Sequence, residues 1–129
     1  MDIVRDSYNK SFHIDKLGQR VYTENYLYCG DFKDGYTGLR QQVNRLFKHI
    51  DIYDHFIYDT EFIDLGLFHK GHATARDMKG WHHITLEGKE LYLQRFKDVE
   101  PFYAGFALVT QFDDSKMIIE ETGEMTLNL

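Results

Sequence analysis

Short runs of alternating apolar and polar residues, separated by glycine, follow one another along most of the chain. In the stretch GWHHIT, residues 80–85, the apolar, aromatic and β-branched residues are typical of a strand, and LEGK after it is typical of a turn. ELYL predicts a returning strand, RFKDVEPF a further extended segment, YAG a turn and FALVTQ another strand. The pattern therefore predicts linked antiparallel hairpins in an all-β chain.

The same residue types recur about every 35 residues. Ile14, Ile50, Ile84 and Ile119 serve as anchors, separated by 36, 34 and 35 residues. Such a period is typical of repeat architectures, in which each unit buries its apolar face against its neighbours. Positions at fixed distances after the anchors hold Gly18, Asp54, Gly88 and Gly123; Tyr22, Tyr58, Tyr92 and Leu127; Tyr26, Phe62 and Phe96; Phe32, Phe68 and Phe102; and Gly35, Gly71 and Gly105.

We therefore expect a single β-repeat domain over residues 1–129, with about three and a half units of roughly 35 residues. The expected array is solenoid-like or partly closed and propeller-like. Its ends are atypical, as terminal units of such arrays must be. The predicted segments are an N-terminal cap (1–10), three repeats (11–46, 47–80 and 81–115) and a partial fourth repeat (116–129).

Residues 39–50, LRQQVNRLFKHI, carry a conflicting local signal. Leu39, Val43, Leu46, Phe47 and Ile50 share one face of a helix, so the local pattern alone predicts an amphipathic helix. The repeat instead requires a strand near 36–40, a turn, and a strand near 47–51. We expect strands here, because tertiary context overrides local propensity in sheets.

Composition narrows the possible functions. The chain has 129 residues, a net charge of −6 and no basic run, which argues against a nucleic-acid or anionic-membrane surface. No segment approaches the roughly 20 apolar residues of a membrane helix, and MDIVRDSYNK does not resemble a signal peptide. The single cysteine, Cys29, excludes an internal disulfide. We expect a cytoplasmic protein that binds neither nucleic acid nor membranes.

Four histidines around Trp81 suggest a metal site: His69, His72, His82 and His83. The repeat favours an architectural interpretation of His83, because His13 and His49 stand at the equivalent positions before Ile14 and Ile50. We expect these three histidines to pack beside aromatic rings, with a ring nitrogen bonded to the backbone. Two alternatives are a small metal-dependent enzyme or metal binder that uses His69, His72, His82 or His83, and a row of three imidazoles that binds a divalent metal or responds to mildly acidic pH.

His69 and His72 form an HxxH pair across a predicted turn. This pair lacks the helical spacing of HExxH zinc sites, and the local sequence supplies no acidic third ligand. We therefore expect no metal and no cofactor.

Further candidates for chemistry also fit a core. Cys29 aligns with Leu65 and Val99, which predicts a buried thiol and not a nucleophile. The chain contains no GxSxG, GxxxxGK[ST] or GxGxxG pattern, so we expect no catalytic residues. Tyr58 and Tyr92 repeat in every full unit, which favours core positions over a stacking platform. Carbohydrate or small-ligand binding on exposed tyrosine and tryptophan faces remains an alternative.

The third unit, GWHHITLEGKELYLQRFKDVEPFYAGFALV, resembles a WG-type β-repeat. Matching residues are Trp81, Ile84, Gly88, Phe102, Gly105 and Ala107, whereas His82 replaces the second residue of the Trp-Gly pair and the first two units lack the tryptophan. The resemblance covers residues 11–129. The chain is also similar to repeats that precede an AdoMet-dependent methyltransferase domain in some bacterial proteins. The matching strings are FHKG, ARD and GWHHI.

The resemblance implies a non-catalytic module for interaction with a protein partner, or for support of a tethered catalytic domain. It transfers no catalytic residue. No glycine-rich AdoMet loop occurs in these 129 residues, so a methyltransferase domain would lie outside this chain. The oligomeric state is left open.

Overall fold

The computed structural model describes residues 2–8, 10–22, 25–41 and 45–127. These residues form twelve short strands and contain no helix, and none of them belongs to a helix able to cross a bilayer. The predicted all-β class is confirmed. The strands are β1 (Asp2–Arg5), β2 (Ser11–Ile14), β3 (Tyr28–Cys29), β4 (Tyr36–Arg40), β5 (Phe47–Asp51), β6 (Asp64–Leu65), β7 (Ala73–Asp77), β8 (Gly80–Ile84), β9 (Asp98–Val99), β10 (Phe106–Thr110), β11 (Lys116–Glu120) and β12 (Met125–Leu127).

The described strands form four small antiparallel sheets, with the orders β1-β2, β3-β4-β5, β6-β7-β8 and β12-β11-β10-β9. None of these sheets closes into a barrel. The five-residue pairings β4–β5, β7–β8 and β10–β11 join the last strand of one predicted unit to the first strand of the next. Strands from consecutive predicted units are therefore hydrogen-bonded to each other within one sheet.

The strand prediction for residues 39–50 is confirmed where the structure describes them. β4 ends at Arg40 and β5 begins at Phe47, with Arg40 opposite Phe47 in the sheet. The helical alternative is wrong. Leu39 lies in β4 and Ile50 lies in β5, and both side chains are buried in one core cluster. Residues 42–44, including Val43 and part of the predicted turn, lie outside the described residues.

The prediction that ELYL forms a returning strand is wrong. Glu90 forms a single bridge with Ile84, and pairing resumes only at Phe96, opposite Trp81. The return path thus contains three residues more than a regular antiparallel register allows, and the excess arches away from β8. Tyr92 lies in this arch, which brings its hydroxyl to the side chain of His83.

Turn residues at equivalent positions of the predicted units share the same backbone conformation. Gly88 has a φ of 74° and Asp54, at the equivalent position, has a φ of 66°, so the predicted left-handed turn conformation is confirmed at both. Ala104 and Gly105 form a two-residue hairpin loop with φ angles of 52° and 85°. Positive φ at both central residues is typical of a type I′ turn, whose twist matches that of the flanking strands.

Three clusters of buried side chains form the core of the described residues, and each includes an isoleucine from the following unit. Ile50 completes the first cluster, Ile84 the second and Ile119 the third. All three side chains are fully buried, which stabilises the fold by roughly 2–3 kcal/mol each. The other buried members are Tyr22, Tyr26, Cys29 and Leu39; Tyr58, Phe62, Phe68, Ala73 and Ala75; and Tyr92, Phe96, Val99, Phe102, Ala107 and Val109.

Candidate binding surface

A buried histidine in each of the three predicted repeats bonds a tyrosine and a backbone carbonyl in the same way. In the third, His83 Nδ1 lies 2.6 Å from the Tyr92 hydroxyl oxygen, and its Nε2 lies 2.8 Å from the carbonyl oxygen of Glu100. The equivalent sets are His13 with Tyr22 and Gly30, at 2.6 and 2.6 Å, and His49 with Tyr58 and Gly66, at 2.5 and 2.9 Å.

The bonding partners fix the protonation of these rings. A carbonyl oxygen only accepts, so Nε2 carries the proton and donates it, and Nδ1 accepts from the tyrosine hydroxyl. Burial lowers the pKa of His49 and His83 to about 4 and also lowers that of His13. The predicted backbone bond is confirmed, and the rings pack on phenylalanines, with His83 4.2 Å from Phe102 between centroids. Because both ring nitrogens are engaged, these imidazoles have no free lone pair for a metal.

The four histidines around Trp81 have different surroundings. His82 and His83 are neighbours on β8, both buried, and His82 Nδ1 has no hydrogen-bond partner within the described structure. His69 Nδ1 lies 2.8 Å from Lys33 Nζ, whereas His72 Nδ1 lies 3.8 Å from a carboxylate oxygen of Glu121. Among residues 2–8, 10–22, 25–41 and 45–127, no group of three or more His, Cys, Asp or Glu is placed to hold a metal ion.

Glu121 is an acidic neighbour that the local sequence around His72 does not reveal. It follows β11 and is distant in sequence, so only the fold brings its carboxylate to the imidazole. The repeat gives no signal for it, because the position belongs to a turn of variable composition.

Cys29, Tyr58 and Tyr92 occupy core positions, as predicted. All three are buried, and burial raises the pKa of the Cys29 thiol, so it remains protonated and unreactive. The same burial removes Tyr58 and Tyr92 from any stacking platform. A stacking platform would therefore have to consist of other, exposed aromatic rings.

An apolar groove, here called the tyrosine–leucine groove, lies on the side of the loops that follow β3 and β6. It consists of two adjoining cavities of about 320 and 300 Å³ that share Gly66 and Leu67. Tyr28 and Leu67 are exposed, and Tyr103 is 62% exposed. The apolar lining is formed by Tyr28, Phe47, Leu65, Leu67, Pro101 and Tyr103.

The rings of the tyrosine–leucine groove are held in place by their neighbours. Tyr28 packs edge-on against Phe47 with 5.7 Å between centroids, and Tyr103 lies 5.5 Å from His69. Lys33, His69 and Tyr103 stand at equivalent positions of the three units and contact one another in a row. Such fixed, exposed aromatic rings lose little conformational entropy on binding.

A second opening, here called the Trp81–Phe112 cleft, lies between the β7–β8 turn and the β10–β11 turn. Its volume is about 400 Å³, and Trp81 and Phe96 contribute to its apolar lining. Gly80 permits the close approach of the two turns, since a Cβ there would lie 2.7 Å from the Phe96 carbonyl oxygen and 2.9 Å from Phe112 Cζ. The cleft is lined by Ile63, Arg76, Asp77, Met78, Lys79, Trp81, Phe96, Lys97 and Phe112.

Arg95 stands at a position whose residue type differs between the predicted units. Only 13% of its side chain is accessible. Its guanidinium lies between Asp77, at 2.9 Å, and Glu90, at 2.6 Å. These ion pairs tie the arch after β8 to the β7–β8 turn, so Arg95 supports the wall of the cleft.

The comparisons with known proteins found no matching protein-family model and no matching curated protein. The resemblance of the third unit to WG-type β-repeats therefore stays a hypothesis, supported by the residues that carry it. Function is best argued from the two exposed apolar surfaces.

Proposed function

We propose that this chain is a non-catalytic WG-like repeat module that binds a protein partner or supports a tethered catalytic domain. The observation that carries the proposal is the tyrosine–leucine groove. Its tyrosine rings and Leu67 are accessible in one continuous surface, whereas the buried rings of His13, His49 and His83 are hydrogen-bonded within the core. Contiguous exposed apolar surface is typical of interaction sites.

The composition of the groove favours a macromolecular partner. Aromatic side chains are the residues that most often dominate the binding energy of protein interfaces. The two cavities adjoin at Gly66 and Leu67, so a polypeptide segment could lie across both. Asp31 and Asp64 line one cavity and Lys33 the other, which gives the groove a polar rim of mixed charge.

For the architecture we propose a solenoid-like stack of the units. Two recurring features support it: the identically bonded histidines and the isoleucine that each unit contributes to the preceding core. Nearest-neighbour burial of this kind is the basis of repeat-protein stability.

The test is affinity capture from a lysate of the organism that encodes the chain, with mass spectrometric identification. The matched control is Leu67→Ser with Tyr103→Ser, two exposed positions whose replacement leaves the core intact. We expect one protein to be captured in near-stoichiometric amount by the native chain and lost with the double variant. Capture of the same proteins by both, with both folded by circular dichroism, would contradict the proposal.

The carbohydrate alternative has its own readout. Trp81 is the single tryptophan, and Tyr28 and Tyr103 offer exposed ring faces. A change in tryptophan or tyrosine fluorescence with one member of a glycan panel, abolished by Tyr103→Ser, would favour sugar binding over a protein partner.

A further inference from the structure

The Trp81–Phe112 cleft exposes two large apolar side chains at its rim. Met78 is 91% exposed and Phe112 is 62% exposed. They stand at equivalent positions of consecutive units, in the β7–β8 and β10–β11 turns. Neither is needed for the core, whereas Trp81 and Phe96 below them pack against it. The rim therefore presents apolar surface that a binding partner could cover.

The charges around this cleft are opposite in sign to the net charge of the chain. Arg76, Lys79 and Lys97 line it together with one carboxylate, Asp77, in a chain of net charge −6. Asp77 is already paired with Arg95. The cleft is therefore a locally positive site on an acidic protein.

Two of these cations are available to a ligand. Lys97 is paired with Asp114, but the ion pairs of the described residues include neither Arg76 nor Lys79. The Arg76 guanidinium lies 5.9 Å from the centre of the Trp81 ring, which places positive charge directly beside the apolar wall. Both cationic side chains are exposed.

We propose that the Trp81–Phe112 cleft binds an acidic peptide segment that inserts one aromatic or aliphatic side chain. The apolar side chain contacts Trp81, Phe96 and Phe112, and flanking carboxylates pair with Arg76 and Lys79. A volume of about 400 Å³ is within the range of pockets that hold such a group. The charge pairs would chiefly select the partner and speed its association.

The small area of positive charge favours a peptide ligand over a nucleic acid. Nucleic-acid affinity depends on neutralising several phosphates along a basic stripe. Here the positive charge is confined to one cleft, and the carboxylates of Asp113 and Asp114 lie on the adjoining turn. A polyanion would meet these carboxylates, whereas a short acidic segment needs only the cleft.

The inference names a surface separate from the tyrosine–leucine groove, so it can fail while the proposed function holds. The probe is a fluorescein-labelled peptide, Gly-Ser-Asp-Glu-Phe-Asp-Ser-Gly, titrated with the full chain and followed by fluorescence polarisation. Two comparison peptides replace the acidic residues with Lys, or Phe with Ala. Charge reversal with Arg76→Glu and Lys79→Glu, truncation with Phe112→Ala, and Tyr103→Ala in the groove are the protein variants, each checked for folding by circular dichroism.

We expect saturable binding of the acidic Phe peptide, at least tenfold stronger than that of either comparison peptide. The charge-reversed protein and Phe112→Ala should each bind at least tenfold more weakly, and added salt should weaken native binding. Tyr103→Ala should bind like the native chain, even where it loses the partner captured by the groove. Absence of saturable binding, equal binding of the Lys peptide, unchanged binding by the folded cleft variants, or tighter binding of a single-stranded oligothymidine would overturn the inference.

Discussion

The hydroxyl of Tyr92 lies 2.6 Å from Nδ1 of His83, and both side chains are buried. Because Nε2 of His83 donates to the Glu100 carbonyl, Nδ1 has no proton and depends on Tyr92 for its hydrogen bond. The same dependence holds between Tyr58 and His49. In both units a tyrosine hydroxyl therefore links the segment that follows the strand to the histidine on that strand.

Replacing Tyr92 with Phe should destabilise the fold. The change keeps the buried ring but leaves His83 Nδ1 without a donor, which typically costs about 1–3 kcal/mol. Urea denaturation followed by circular dichroism would measure the loss in the free energy of unfolding. Tyr103→Phe is the matched control, since the Tyr103 hydroxyl belongs to an exposed side chain and its removal should change stability little. Equal stability of Tyr92→Phe and the native chain would contradict this account.

Acid should destabilise the protein well above the range in which carboxylates titrate. The pKa of His49 and His83 is about 4 in the folded chain against an ordinary value of 6.5, so below pH 6.5 the unfolded state binds protons that the folded state does not. The free energy of unfolding therefore falls as the pH drops from 6.5 toward 4. At pH 5 the loss should be roughly 2 kcal/mol for each of these histidines.

The measurement is a series of urea denaturation curves from pH 7.5 to pH 5. Leu17→Ser provides a control, because Leu17 is 84% exposed and neither side chain ionises over this pH range. A free energy of unfolding that stays constant over this range would show that the two buried rings are not held neutral.

Ala104 occupies a backbone conformation that does not suit it. Its φ is 52°, where most residues with a Cβ are strained, and Asn is among the residues that tolerate it best. Ala104→Asn should therefore stabilise the chain by up to about 1 kcal/mol, and Ala104→Val should destabilise it, because β-branched residues tolerate this region poorly. Thermal unfolding of the three proteins side by side would check the order; a Val variant as stable as the Asn variant would refute it.

Ile84→Ala should destabilise the packing of both the second and the third predicted unit. The side chain is fully buried in the cluster that contains Tyr58 and Phe68, although it belongs to the following unit in sequence. Loss of a buried isoleucine typically costs 2–5 kcal/mol. Hydrogen exchange should show faster amide exchange in both β7, which carries Ala73 and Ala75 of the same cluster, and β8, whereas Ile3→Ala, at a partly exposed position, should have a small effect. Faster exchange confined to β8 would argue against shared burial.

Much of the strand pattern was predictable from the repeat. The strands at 36–40 and 47–51 were correctly expected against a local helical signal, because the alignment of the predicted units places strands there. The buried histidines followed from the same comparison. In both cases, comparing equivalent positions of several predicted units indicated the strand or the buried side chain, which one stretch alone does not.

Features that depend on long-range contacts were not predictable. The burial of Arg95 depends on Asp77, at the end of β7, and Glu90, which forms a bridge with Ile84 of β8. ELYL forms no strand, and the arch in its place brings the Tyr92 hydroxyl to His83, a contact that local propensity does not encode. Both surfaces proposed for binding likewise arise where separate loops meet.

The isoleucine that closes each of the three cores comes from the start of the next unit of the proposed repeat. A fragment cut at residue 80 would contain two complete sequence copies, yet its second core would lack Ile84 and remain open on one side. A fragment that extends past Ile84 would keep that side chain in place. Excision or duplication of a unit should therefore succeed when the cuts fall after successive isoleucines, so that every remaining core receives its closing residue from the next segment of chain.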